Sequence, residues 1–354
     1  MELEGATRRV DDDLMAHVSD TSRPPIVIAE AADAHYGDLE RAKAMAAAAR
    51  GARADVIKFQ HHIPEEEMLR DIPISSNMRE PLWDFLKRNA LSIEQHVELR
   101  AYCDEIGITY CCTPFSLAAA RELEAQVDPP FYKIGSGEML DFPTLAGIAT
   151  FGKQMIVSTG MSTVDEVDET YDFLSSLGNP FALMNCTSAY PPGADDMHLS
   201  FIGEMRDRYP RAVIGHSDHT PSHHFSLAAV ALGARIIERH VTLDASLPGP
   251  DADVSLTFPQ LEDFIAQVED LSIALNTPKR IQEHEHEIRR WAHRSLVYLR
   301  NLPAGHVISE DDIWGKRPGT GVPARTRGLF IGRRLARAVE ADTLLSDADF
   351  TDQG

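Results

Sequence analysis

Eight short apolar runs recur along this chain of 354 residues, and nearly every one ends in a residue capable of chemistry. They are IVIAE (26–30), DVIKFQ (55–60), ITYCCTPF (108–115), FYKIGS (131–136), QMIVSTG (154–160), FALMNCTS (181–188), AVIGHSDH (212–219) and RIIERH (235–240). Short, continuously apolar runs fit parallel strands buried on both faces. Helical patterns lie between them. LERAKAMAAAARGA (39–52) is alanine-rich, SIEQHVELRAYCDEIG (92–107) starts at a Ser92 cap and stops at Gly107, and STVDEVDETYDFLSSLG (162–178) and FPQLEDFIAQVEDLSIAL (258–275) follow. The alternation predicts an α/β chain of one class, a (β/α)8 TIM barrel. In that fold, side chains at the carboxyl ends of the strands gather on one face however far apart they lie in the chain.

Four segments follow from this reading: a polar tail over 1–24, the barrel over 25–276, a charged linker over 277–293 and a small β-rich domain over 294–354. The last has short strands, tight turns and no long helix. One connection, residues 61–91, is too long for a barrel loop, and loops of that length are usually functional. It reads as a lid or wall over the second strand.

Charge restricts the partners. With 34 basic and 55 acidic residues the net charge is −21, so nucleic acid and anionic membranes are poor partners. An anionic small molecule would need a local positive pocket. No run reaches the ~18 apolar residues of a membrane helix, and the first residues lack the apolar core of a secretory signal. The four cysteines, Cys103, Cys111, Cys112 and Cys186, have neither zinc spacing nor the density of a disulfide framework. A cytoplasmic location is expected.

The strand ends carry the candidate site. His219 and His240 close the seventh and eighth runs. Neighbouring strands lie ~4.8 Å apart, so these imidazoles can share one divalent metal and leave positions open. A pair of hydrogen-bonded structural histidines is the alternative. Asp218 and Glu238 are orienters or further ligands. Lys58 and Lys133 sit inside apolar runs, where a lysine is rarely placed for packing alone. Together they suggest a phosphate or carboxylate. Their rival roles are a Schiff base or a buried ion pair with Glu30 or Glu138. Thr113, Ser136, Ser158 and Ser217 lie on the same rim, and Glu30 is a general acid/base or an anchor for a polyol. Tyr190 and Asp251 stand on loops after the sixth and eighth runs, as a wall and a hydroxyl acceptor or simply as turn and loop residues.

Taken together, IAEAADAHYGD, DVIKFQ, CCTPF, YKIGSGE, IVSTGMST, CTSAYP, GHSDHT, IERHVTLD and PGPDADVSL resemble the N-acetylneuraminate (sialic acid) synthase family. RSLVYLRNLPAGHVISEDDIWGKRPGTG is similar to that family's antifreeze-like (SAF) domain. The resemblance implies condensation of phosphoenolpyruvate with an open-chain N-acyl hexosamine, giving a nine-carbon 2-keto sugar acid and phosphate. It implies a divalent metal on His219 and His240, usually manganese, with magnesium or cobalt as alternatives. It implies that Glu30 is the acid beside the sugar. Lys58, Thr113, Lys133, Ser136, Ser158 and Ser217 then match positions around phosphoenolpyruvate, and Ser188, Tyr190 and Asp251 match sugar-side positions. Arg317, in KRPGTG, matches an arginine inserted into a partner's barrel, which implies a domain-swapped homodimer. The family usually shows Gly-x-Asn-His after the acid. Here Ala32, Asp33, Ala34 and His35 stand there, and Ser188 replaces a frequent asparagine. These departures bear on the choice of sugar, with pseudaminic or legionaminic acid synthases as alternatives. A Schiff-base aldolase and a non-catalytic carbohydrate-binding protein are remoter ones.

Overall fold

The computed structural model describes residues 10, 13–74, 78 and 80–351. Eight parallel strands form a closed barrel: β1 (Ile26–Glu30), β2 (Val56–His61), β3 (Thr109–Pro114), β4 (Phe131–Ile134), β5 (Gln154–Ser158), β6 (Phe181–Cys186), β7 (Ala212–Asp218) and β8 (Ile236–Thr242). The ring closes where β1 pairs with β8, Glu30 opposite His240. A two-residue strand, β9 (Leu256–Thr257), adds to the end of β8. All eight expected runs are strands, within a few residues at each end.

Period-two alternation sorts the strands into two apolar sets. Ile26, Ile28, Val56, Cys111, Phe131, Ile156, Ala182, Met184 and Ile236 pack together inside the barrel. Val27, Ala29, Ile57, Phe59, Cys112, Ile134, Val157, Leu183 and Ile237 pack outward against the helices. The helix Ile93–Ile106 begins with a capping box between Ser92 and Gln95 and ends at Gly107 with φ 75°. Satisfied caps and left-handed glycine stops fix helix length, and hence where each strand end emerges.

The expected polar tail is corrected over its described part. Leu14–Ser19 is a helix, and its Leu14 and Val18 are fully buried with Val10 against the barrel interior. The Met15 N–H donates to Gln154 at the start of β5, and Arg235 at the start of β8 donates to the Val18 carbonyl. This segment plugs the amino end of the barrel. Residues 1–9 and 11–12 lie outside the described residues. The connection 61–91 forms helices Pro64–Glu67 and Leu82–Asn89. Among the described residues, no helix is long and apolar enough to cross a membrane.

The chain divides into two compact units, one ending at Thr277 and one beginning at Pro278. The second holds a helix, Glu285–Ala292, and an antiparallel pair, β10 (Ser295–Tyr298) with β11 (Ile313–Lys316). Leu296, Tyr298, Ile313, Phe330, Leu335 and Phe350 form its core. Asp312 is fully buried there and accepts from the Ser309 N–H and hydroxyl, His306 Nε2 and Arg300 Nε at 2.7–2.9 Å. Burial pushes its carboxyl up, but these donors outweigh it and hold the folded value below the ordinary 3.8. The resulting stability is complete above the unfolded value and lost as pH falls toward the folded one. Asp312→Asn is expected to cost this unit about 2 kcal/mol at neutral pH, and the difference shrinks in acid. Calorimetric melting of both proteins across pH checks this; equal melting temperatures at neutral pH would contradict it.

Candidate active site

At the carboxyl end of the barrel a cavity of about 820 Å³ opens. Glu30, Lys58, Thr113, Lys133, Ser136, Ser158, Ser188, Tyr190, Ser217, His219, His240 and Asp251 all line it. These twelve residues from the sequence analysis thus share one cavity. Arg317 lies in the C-terminal unit, exposed, with its guanidinium 4.9 Å from the Trp291 ring centre.

The floor is built from inward positions of seven strands, β1 to β5, β7 and β8. Lys58 Nζ stands 3.1 Å from Glu30 Oε2 and 3.3 Å from Glu238 Oε1, and 3.4 Å from Thr113 Oγ1. Lys133 Nζ donates to Ser158 Oγ at 2.6 Å and lies 3.9 Å from Glu238. The Ser217 hydroxyl donates to Glu238 Oε1 at 3.1 Å. Gly160 donates its N–H to Ser136 Oγ at 3.0 Å. A side chain at 160 would collide with Ser136 and Ser188.

Burial and neighbouring charge set the protonation states. Burial pushes Glu30 up to about 7, against the pull of Lys58. Burial also opposes ionisation of Glu238, but Lys133 and Lys58 outweigh it and hold the carboxyl at about 2. Burial lowers Lys133, with Glu238 opposing. For Lys58, burial is outweighed by Glu238 and Glu30, and the amine is raised. The ion-pair alternative and the anion-site reading therefore coexist, with Glu238 as the principal acid. Its neighbour in the same expectation, Asp218, points outward instead and pairs with Arg239 at 3.1 Å, both side chains fully buried.

The roof carries the imidazoles. His219 and His240 have ring centres 5.2 Å apart, and Tyr190 stacks on His219 at 4.2 Å. His219 Nδ1 donates to the Thr187 carbonyl at 2.8 Å, which leaves the Nε2 lone pair free. His240 Nδ1 lies 3.5 Å from Asp251 Oδ2. Burial lowers His219 to about 4 and His240 to about 3, so both rings are neutral, as ligation requires. Among the described residues no group of three or more His, Cys, Asp or Glu forms a metal cage. The donor set fits an open two-nitrogen site.

Asp33, Gln60, His62 and Glu138 also line the cavity, as do Leu82, Phe85 and Leu86 from the long connection. That connection is a wall, as expected. Gln60 was legible in principle, two residues after Lys58 and so on the same strand face. Ala32 has φ 43°, a conformation that favours glycine. This gives a physical reason for the glycine usual at that position in the resembling family.

A parallel barrel with ammonium groups, hydroxyls and imidazoles gathered at its C-terminal mouth has the architecture of the barrel enzymes, whose active sites lie on that face. Residues 45–280 match the NeuB family and residues 293–351 match the SAF domain. The chain belongs to the NeuB family. It is 30% identical over 333 residues to the N,N'-diacetyllegionaminic acid synthase of Campylobacter jejuni, covering 91% of this chain and 99% of that one. It is 30% identical over 331 residues to the human N-acetylneuraminate-9-phosphate synthase, covering 92% of each. A crystal structure of the N-acetylneuraminic acid synthetase of Leptospira borgpetersenii superimposes with a TM-score of 0.69 at 29% identity, covering 75% of this chain and 90% of that one.

Proposed function

We propose that this chain condenses phosphoenolpyruvate with an open-chain N-acyl hexosamine, forming a nine-carbon 2-keto sugar acid and releasing phosphate. The observation that carries the reading is one cavity with Lys58, Lys133 and a ring of hydroxyls on its floor and two neutral imidazoles on its roof. The floor suits the phosphate and carboxylate of phosphoenolpyruvate: two ammonium groups hold its charge, and Thr113, Ser136, Ser158 and Ser217 donate to its oxygens. The roof suits the aldehyde, with Glu30, Ser188, Tyr190 and Asp251 around the sugar hydroxyls. His219 and His240 would hold a divalent ion, manganese by preference, which would supply polarisation of the aldehyde oxygen.

The methylene carbon of phosphoenolpyruvate attacks the aldehyde carbon, and the aldehyde oxygen takes a proton. Water adds at the enol carbon and gives up its proton. The tetrahedral adduct then collapses with cleavage of the carbon–oxygen bond to phosphate. Lys58 and Lys133 keep the phosphate and carboxylate fixed through these charge changes. Glu30, near neutrality, can hold or release a proton beside the aldehyde. The wall of Leu82, Phe85 and Leu86 limits bulk water.

Arg317 reaches a partner's barrel in a domain-swapped homodimer, which its exposure and the SAF match support. A cytoplasmic location agrees with four free cysteines. The relatives' names favour a sialic, legionaminic or pseudaminic acid-type product.

The test is incubation with manganese, phosphoenolpyruvate and a panel of N-acyl amino sugars. Phosphate and a keto acid are expected in equal amounts, with turnover lost on chelation and restored by manganese. No product with any sugar would overturn the reading. The burial-lowered amine of Lys133 favours one rival, a Schiff-base aldolase. A covalent adduct after borohydride treatment with pyruvate would establish that instead.

A further inference from the structure

A hydrogen-bonded chain runs from the long connection to Glu30. In its ionised form, paired with Lys58, Glu30 offers only acceptors. Gln60 Nε2 donates to Glu30 Oε1 at 2.8 Å. That orientation turns Gln60 Oε1, another acceptor, toward His62 Nε2 at 3.0 Å. The other ring nitrogen, Nδ1, meets Glu67 Oε2 at 3.0 Å, while Glu67 Oε1 accepts the Ile63 N–H. Both ring nitrogens of His62 therefore face acceptors, and hydrogen on both would satisfy both contacts. A neutral ring would aim a lone pair at one of them.

The surroundings agree. The His62 and Glu67 side chains are 6% and 4% exposed, and the ring stacks on Phe115 with centres 4.2 Å apart. Asp33, after β1, and Glu138, after β4, add negative charge that acts on His62. His35, His61 and His96 also act on it, but burial keeps each of them neutral.

We propose that His62 is a positioning residue: an imidazolium clamped by Glu67 that fixes the Gln60 amide, so that its N–H aims at Glu30 and turns that carboxylate to the aldehyde side of the cavity. The role rests on reading Glu30 as the acid beside the aldehyde. It also explains why a four-residue helix in the long connection, Pro64–Glu67, ends in a buried glutamate.

The test uses the full chain. Nitrogen-15 NMR of the histidine rings, with His62→Asn supplying the assignment, is expected to show both His62 nitrogens protonated at neutral pH. A single neutral tautomer would overturn the proposal. The Gln60 side-chain amide protons are expected to exchange slowly in the parent protein and rapidly in both His62→Asn and Glu67→Gln. Unchanged exchange in a folded variant would overturn it too. In turnover, His62→Asn is expected to lower kcat about 10- to 100-fold with the phosphoenolpyruvate KM unchanged. It should add little in a Gln60→Leu background, because His62 acts through Gln60. Fully additive losses would overturn that route. A parent protein without turnover refutes the function proposed above, and the two NMR measurements still decide the clamp.

Discussion

Lys58→Met is expected to lower turnover at least ~10²–10³-fold and to destabilise the barrel at neutral pH. The ammonium stands within 3.3 Å of two buried carboxylates, Glu30 and Glu238. Removing it leaves Glu238 with Lys133 at 3.9 Å and leaves Glu30 without a cation. Breaking a buried pair from one side typically costs about 3–5 kcal/mol. Glu30 then keeps its proton in the folded state, above a value already raised from 4.5 to about 7. A folded value raised above the unfolded one means that stability falls as pH rises through that window. Parent and variant lose this stability together up to about pH 7, so the part of the deficit that comes from Glu30 opens only above that value and grows as pH rises further. Adding Glu30→Gln should return much of the stability and none of the activity. Denaturant midpoints against pH and single-turnover phosphate release separate the two effects. A variant with full turnover would remove Lys58 from the substrate site.

Arg239→Met should be the most damaging change away from the cavity. Arg239 is fully buried between β8 and the helix His224–Ala231. Its guanidinium donates to Asp218 Oδ2, the Ser222 carbonyl and Ser226 Oγ at 2.8–3.1 Å, and to the Thr220 carbonyl. Its loss strands the Asp218 carboxylate and two carbonyls, a change of roughly 3–5 kcal/mol. Arg239 precedes His240 and Asp218 precedes His219, so both imidazoles lose their anchor together. Arg239→Lys should fail nearly as badly, because one ammonium cannot reproduce the planar fork. Thermal melting with manganese titration measures both consequences. A lysine variant with parental melting and metal affinity would show that the fork geometry is unimportant.

Much of this was legible in order and spacing. The runs ending at Glu30, Lys58, Lys133, His219 and His240 name the strands and one face at once, because a (β/α)8 barrel delivers every strand end to the same mouth. The cap at Ser92 was equally readable, since capping is a local interaction. The segment 13–19 was not. One turn and a half of helix gives little periodicity, and Leu14 and Val18 become core only once the barrel offers an open amino end. Nor was the His62–Glu67 contact, whose members pair through a local turn set by the wall.

The amino-acid sequence by itself determined which reactive groups exist, how many strands carry them and that they end on one rim. It left open which way each side chain faces. A strand that is apolar on both faces has no polar alternation to mark its inner side. Only the closed register, Glu30 beside both Lys58 and His240, sent Glu238 inward to the lysines and Asp218 outward to Arg239. Local composition writes the strands, and closure of the ring decides the inward parity of each.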